Sequence, residues 1–129
     1  MVLDQYAFST KHKIYDTKKE IPDEQEVAYW RKHNRLQGWF ENKYFEKVQG
    51  AYSQHDFNCQ RFYLTEELLN ELERDVKADA LPKTGGFFFG NDSYTYPEKE
   101  EMKKYDLKFI QDAREEMAKG KYVFYTCWW

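Results

Sequence analysis

Both ends of the chain alternate with a period of two, and most of what lies between them carries helical or turn patterns. From Val2 to Phe8 one face holds Val2, Asp4, Tyr6 and Phe8, and the other holds Leu3, Gln5 and Ala7. From Tyr122 to Trp129 the residues are again aromatic, β-branched or small. Alternation of this kind places successive side chains on opposite faces of a strand. A third stretch, Phe57 to Leu64, alternates too, with Phe57, Cys59, Arg61 and Tyr63 on one side. The pattern predicts one sheet that holds Val2–Phe8, Phe57–Leu64 and Tyr122–Trp129, with helices packed on one of its faces.

Three helices are expected between the strands. Pro22 and Asp23 open the first, with Glu26 completing a capping-box-like pair, and it should run from about Glu24 to Val48. At 100° per residue Tyr29, His33, Leu36, Phe40 and Tyr44 form its main stripe. Gly38 in its middle costs about 1 kcal/mol relative to alanine, so another backbone approaches there or the helix breaks. Thr65 caps the second helix, whose apolar stripe is Leu68, Leu69, Leu72 and Val76. Pro97 opens the third and Gly120 ends it, with Met102, Tyr105, Phe109, Ile110, Ala113 and Met117 facing inward. Ser9 to Ile21 and Gly50 to Asp56 read as loops, and Phe87 to Phe89 as a short strand or a plug into the core. The order β-α-β-α-(β)-α-β makes this an α+β domain with a small, mainly antiparallel sheet. No repeat or linker divides residues 1–129.

Composition narrows the function. Eleven Tyr, ten Phe and four Trp among 129 residues exclude a disordered chain. No apolar run reaches about 18 residues, so no membrane partner is expected. The net charge of −3 gives no basic excess to replace the counterions of duplex nucleic acid. Met1-Val2-Leu3-Asp4 lacks the basic stretch and apolar core of a signal peptide, and there are only two cysteines, Cys59 and Cys127. A reducing, cytoplasmic setting is therefore expected, with the cysteines acting as small buried hydrophobes.

The most distinctive segment is Tyr29-Trp30-Arg31-Lys32-His33-Asn34, followed by Gly38-Trp39-Phe40. Four other segments accompany it in order. They are Leu3-Asp4-Gln5-Tyr6, Asn58-Cys59-Gln60 through Leu64 with Thr65-Glu66-Glu67-Leu68, Leu81-Pro82-Lys83-Thr84 through Gly86-Phe87-Phe88-Phe89-Gly90, and Tyr125 to Trp129. Together they resemble a family of small uncharacterised phage and bacterial proteins that are often mislabelled phosphoglycerate kinase. The resemblance implies a phage or prophage setting and brings no activity with it. Kinase chemistry is not expected: 129 residues are far too few for phosphoglycerate kinase, and there is no G-x-x-x-x-G-K-[ST] phosphate loop.

Trp30, Arg31, His33, Asn34 and Trp39 are the candidate binding residues. Arg beside Trp is a combination found at interface hot spots and base-stacking sites. The competing reading puts the Trp rings in the core and Arg31 in a structural salt bridge. His33 offers an imidazole, the side-chain type most used for general-base work, but no nucleophile pairs with it from sequence. Arg31 and Asn34 are expected to project together on the side of the helix away from the main stripe. His55-x-x-x-Cys59 with Asp56 is the best metal-ligand spacing, and it is too sparse to predict a site. The Gly-aromatic run at Gly85–Gly90 lacks the leading basic residue of RNA-recognition strands. The expectation is a protein that binds a host or phage protein, with no catalytic residue and no cofactor. The alternatives are a small enzyme or ligand-binding domain with a pocket around Trp30–Asn34, and single-stranded nucleic-acid binding through exposed rings.

Overall fold

A computed structural model describes residues 3–47, 57–82 and 98–128. Asp4–Thr10 forms β1, Gln25–Arg31 β2, Asn34–Lys47 α1, Phe62–Tyr63 β3, Glu66–Lys77 α2, Glu98–Ala118 α3 and Tyr122–Trp128 β4. The four strands make one antiparallel sheet in the order β2-β1-β4-β3. Strands from the two ends of the chain therefore pair directly, with Gln5 opposite Cys127 and Ala7 opposite Tyr125. The architecture is the expected α+β one. Gly50–Asp56, Gly85–Gly90 and Pro97, read above from the sequence, lie outside the described residues.

The first helix differs most from expectation. Its N-terminal third is a strand, and α1 begins at Asn34. The sequence Val27-Ala28-Tyr29-Trp30-Arg31 fits both periods, because Tyr29, His33, Leu36 and Phe40 also fall on a helical stripe. Pairing with β1 decides between them. Ala28 and Trp30 stand opposite Ala7 and Gln5, and both are buried, while Tyr29 and Arg31 point outward. Lys32 then adopts a left-handed φ of 60°, which no helix accommodates, and its N–H donates to Leu3 O at 2.8 Å. Gly38 is buried within α1, and the helix runs through it without a break.

Asp23 caps no helix. Its carboxylate accepts from Thr10 Oγ1 at 2.5 Å and from the Lys11 N–H at 2.7 Å, and lies 2.9 Å from His12 Nδ1. These hydrogen bonds, led by Thr10, hold its pKa far below the usual carboxylate range. A depressed folded-state pKa contributes stability that is present above about pH 3.9 and lost as the pH falls below it. Thermal melts between pH 5 and 2 should therefore show a shallower acid loss in Asp23→Asn than in the native chain. Equal slopes would mean that Asp23 does not clamp this turn.

The second strand contracts to Phe62–Tyr63. Phe57–Cys59 is a turn, with Cys59 at φ 66° and exposed. The later helices match their signals. Thr65 Oγ1 accepts from the Leu68 N–H at 3.1 Å, and Leu68, Leu69, Leu72 and Val76 are buried. Gly120, at φ 85°, ends the α3 region, and its N–H donates to Met117 O. In α3, Phe109, Ile110 and Ala113 are buried as expected, but Tyr105 is exposed and Asp106 is fully buried.

The helices lie on the sheet face that carries Leu3, Gln5, Ala7 and Tyr125. Phe40 of α1 stacks on Tyr125 with ring centroids 3.9 Å apart, and Phe109 of α3 meets Trp30 edge-on at 4.9 Å. Trp39 Nε1 donates to Asp75 Oδ2 at 2.8 Å, joining α1 to α2. The opposite face is aromatic too. The segment between β1 and β2 covers one end of it, where Ile21 packs with Phe124 and Tyr63.

Candidate functional site

A buried polar network runs behind β1. Asp106 Oδ1 accepts from Trp30 Nε1 at 2.9 Å, and Asp106 Oδ2 lies 2.7 Å from His33 Nε2. The His33 N–H donates to Gln5 Oε1 at 2.7 Å. Gln5 Nε2 donates to His33 O at 3.1 Å and to the Tyr125 hydroxyl at 2.9 Å. That hydroxyl donates to Gln37 Oε1, and Gln37 Nε2 lies 3.3 Å from Cys127 Sγ. Every side chain in this series is buried. A polar group taken out of water costs free energy unless it is paired, so the network fixes how β1, β2, α1, α3 and β4 meet.

The electrostatics of the network suit a scaffold. Burial raises the Tyr125 phenol well above its usual range, and it pushes the Cys127 thiol up to about 12. Cys59 is also raised by burial. Neither cysteine is primed as a thiolate nucleophile near neutral pH. Cys127 is buried on β4 as expected; Cys59, expected to be a buried residue of a strand, instead sits exposed in the Phe57–Cys59 turn.

The five candidate residues separate. Trp30, His33, Asn34 and Trp39 are buried, and Arg31 is exposed. The expectation that Arg31 and Asn34 share one open helix side is corrected. Arg31 ends a strand while Asn34 starts the next helix, and the left-handed turn at Lys32 sends them different ways. An open depression of about 280 Å³ gathers Trp30, Arg31 and His33 with Tyr29, Glu101, Met102 and Tyr105.

On the face opposite the helices, Arg31, Asp4 and Trp128 stand side by side on β2, β1 and β4. The next row is Tyr29, Tyr6 and Thr126. Trp128 is 65% exposed and Tyr29 38%. The Tyr29 hydroxyl donates to Asp4 Oδ1 at 2.8 Å, and its ring lies 5.0 Å from that of Tyr6. The outer edge of β2 is partly closed, since the Tyr29 N–H donates to the Tyr105 hydroxyl at 3.0 Å.

Sequence reasoning missed Gln5, Gln37, Asp106, Tyr125 and Trp128 as site-forming residues. Two signals were present. Gln5 is the polar member of the Leu3–Ala7 face, and Asp106 continues the Phe109, Ile110, Ala113 stripe by one turn. Among the described residues no group of three His, Cys, Asp or Glu side chains is placed to hold a metal, and no helix is long and apolar enough to cross a membrane. No protein-family model, curated protein or solved structure matches the chain.

Proposed function

We propose that this chain is a small phage-type module that binds a host or phage protein in the host cytoplasm, through the patch formed by Arg31 and Trp128 with Tyr29 of the adjacent row. The observation that carries the reading is the exposed Trp128 ring, beside Asp4 and in line with Arg31. Trp, Tyr and Arg dominate binding hot spots, because large rigid rings and a planar guanidinium lose little entropy when covered. A regular sheet holds the patch in place before any partner arrives, which lowers the cost of association. The phage setting rests on the resemblance of the Tyr29–Asn34 and Gly38–Phe40 segments.

The test compares captures from host lysate by the tagged native chain, Trp128→Ala and Arg31→Ala. The native chain should retain one stoichiometric protein that both variants lose. Surface substitutions cost within about 0.5 kcal/mol, so melting temperatures should move by less than about 3 °C. Capture that survives both substitutions would remove the patch from the binding site. An oligonucleotide retained at physiological salt and lost by Trp128→Ala would reassign the patch to base stacking. Trp30 and Trp39, being buried, offer no ring for that purpose.

A second reading, a small ligand-binding domain or enzyme, is favoured by the depression that Trp30, Arg31 and His33 line. Its volume lies just below the usual range for small-molecule pockets. A compound that raises the melting temperature of the native chain but not of Tyr105→Ala would support it.

A further inference from the structure

Lys13 carries its ammonium into a box of tyrosines. Its Nζ lies 5.6 Å from the Tyr15 ring centroid, 5.6 Å from Tyr63 and 5.5 Å from Tyr122. The rings stand steeply to one another, with Tyr15 at 65° and Tyr122 at 89° to Tyr63. From this geometry we propose that Tyr15, Tyr63 and Tyr122 form an aromatic cage for an N-methylated ammonium, with Lys13 as its resident competitor.

Three aromatic faces turned on one cation supply the attraction that recognises quaternary ammonium groups. The spacing suits the methylated form. A methyl carbon stands about 1.45 Å from its nitrogen. It touches a ring at about 3.5–4.0 Å. The nitrogen of a methylated ammonium pointing a methyl at each ring therefore rests about 5.0–5.5 Å from each face. The lysine ammonium, with hydrogens only, leaves that gap unfilled.

The walls are fixed, while the occupant can leave. The Tyr63 hydroxyl accepts from the Ile14 N–H at 2.8 Å and donates to Ile14 O at 2.9 Å. Arg61 donates to the carbonyls of Asp16 and Lys19, which holds the segment that bears Tyr15. Tyr122 sits on β4. Among the described residues Lys13 forms no ion pair within 4.0 Å, so only the rings hold its ammonium. Tyr15 is 60% exposed and Tyr122 43%, so the cage opens to solvent. A cationic ligand that replaces Lys13 meets rings already arranged for a positive charge, and the displaced ammonium moves into solvent, where its charge is screened. Tyr122 and Trp128 lie at opposite ends of β4, so the cage can fail while the Arg31–Trp128 row stands, and the reverse.

The test titrates the full chain with N-acetyl trimethyllysine methylamide and with choline, reading tyrosine ring shifts by NMR. The controls are the unmethylated lysine derivative and the uncharged tert-butyl isostere. Lys13→Ala and Lys13→Gln should each bind the methylated probes at least tenfold more tightly than the native chain. Adding Tyr122→Leu to Lys13→Ala should lose that gain, with a circular-dichroism melt confirming the fold. Tighter binding of trimethyllysine than of choline would indicate a methylated protein side chain; the reverse order would indicate a free quaternary ammonium. Failure of both Lys13 variants to bind more tightly, or equal binding of the uncharged isostere, would overturn the proposal.

Discussion

Replacing Asp106 with alanine is expected to cost about 2–6 kcal/mol, because it leaves two buried polar groups, on Trp30 and His33, without their partner at about 1–3 kcal/mol each. Asp106 is fully buried and serves two elements at once. It accepts from Trp30 Nε1 on β2, and it pairs with His33 Nε2 at the start of α1. Without it the indole N–H loses its acceptor and the imidazole loses its carboxylate. Asp106→Asn keeps an amide oxygen in reach of Trp30 and should lose less. Against a total stability of about 5–15 kcal/mol, the alanine variant would be close to unfolding at physiological temperature. Urea denaturation of both variants checks this. A loss below about 1 kcal/mol for Asp106→Ala would mean that the carboxylate is not what ties α3 to β2.

Phe40→Ala should be comparably severe, at about 3–5 kcal/mol. The ring has no exposed surface, stacks on Tyr125 and meets Trp39 and Phe62 edge-on. Its removal opens a cavity at the place where α1 crosses β4. It also frees the Tyr125 ring, whose hydroxyl bridges Gln5 and Gln37. Phe40→Leu retains most of the volume and should recover much of the loss. If the two variants melt together near the native temperature, the α1–β4 contact does not carry the core.

Apart from β2, whose residues read as helix in the sequence, the described elements were legible because most of their signals were local. Thr65 with Leu68, the Leu68–Val76 stripe, and Gly120 after α3 each specify their structure within a few residues. The alternation also assigned the two faces of Leu3–Phe8 correctly, since burial at Leu3, Gln5 and Ala7 follows the pleat. The Gln25–Asn34 region was not legible, because its residues satisfy a period of two and a period of 3.6 together. The choice is made by pairing with β1 and by the left-handed Lys32, and both are tertiary facts. The same ambiguity hid the proposed contact surface. On a helix Arg31 and Asn34 would have shared a face, whereas on a strand Arg31 joins Trp128, which is 97 positions away in the sequence. Asp23 misled for a related reason. An aspartate after proline looks like a helix cap, but its oxygens serve Thr10, Lys11 and His12 across the turn.

The contact patch proposed at Arg31, Tyr29 and Trp128 is exposed and separate from the buried scaffold of Gln5, His33, Asp106 and Tyr125. Hydrogen–deuterium exchange on the chain alone and with its captured partner tests that separation most directly. Slowed exchange confined to Tyr29–Arg31 and Thr126–Trp128, with α2 and α3 unchanged, is the predicted result. Protection on the outer surfaces of α2 and α3, with those two strand ends unaffected, would contradict it.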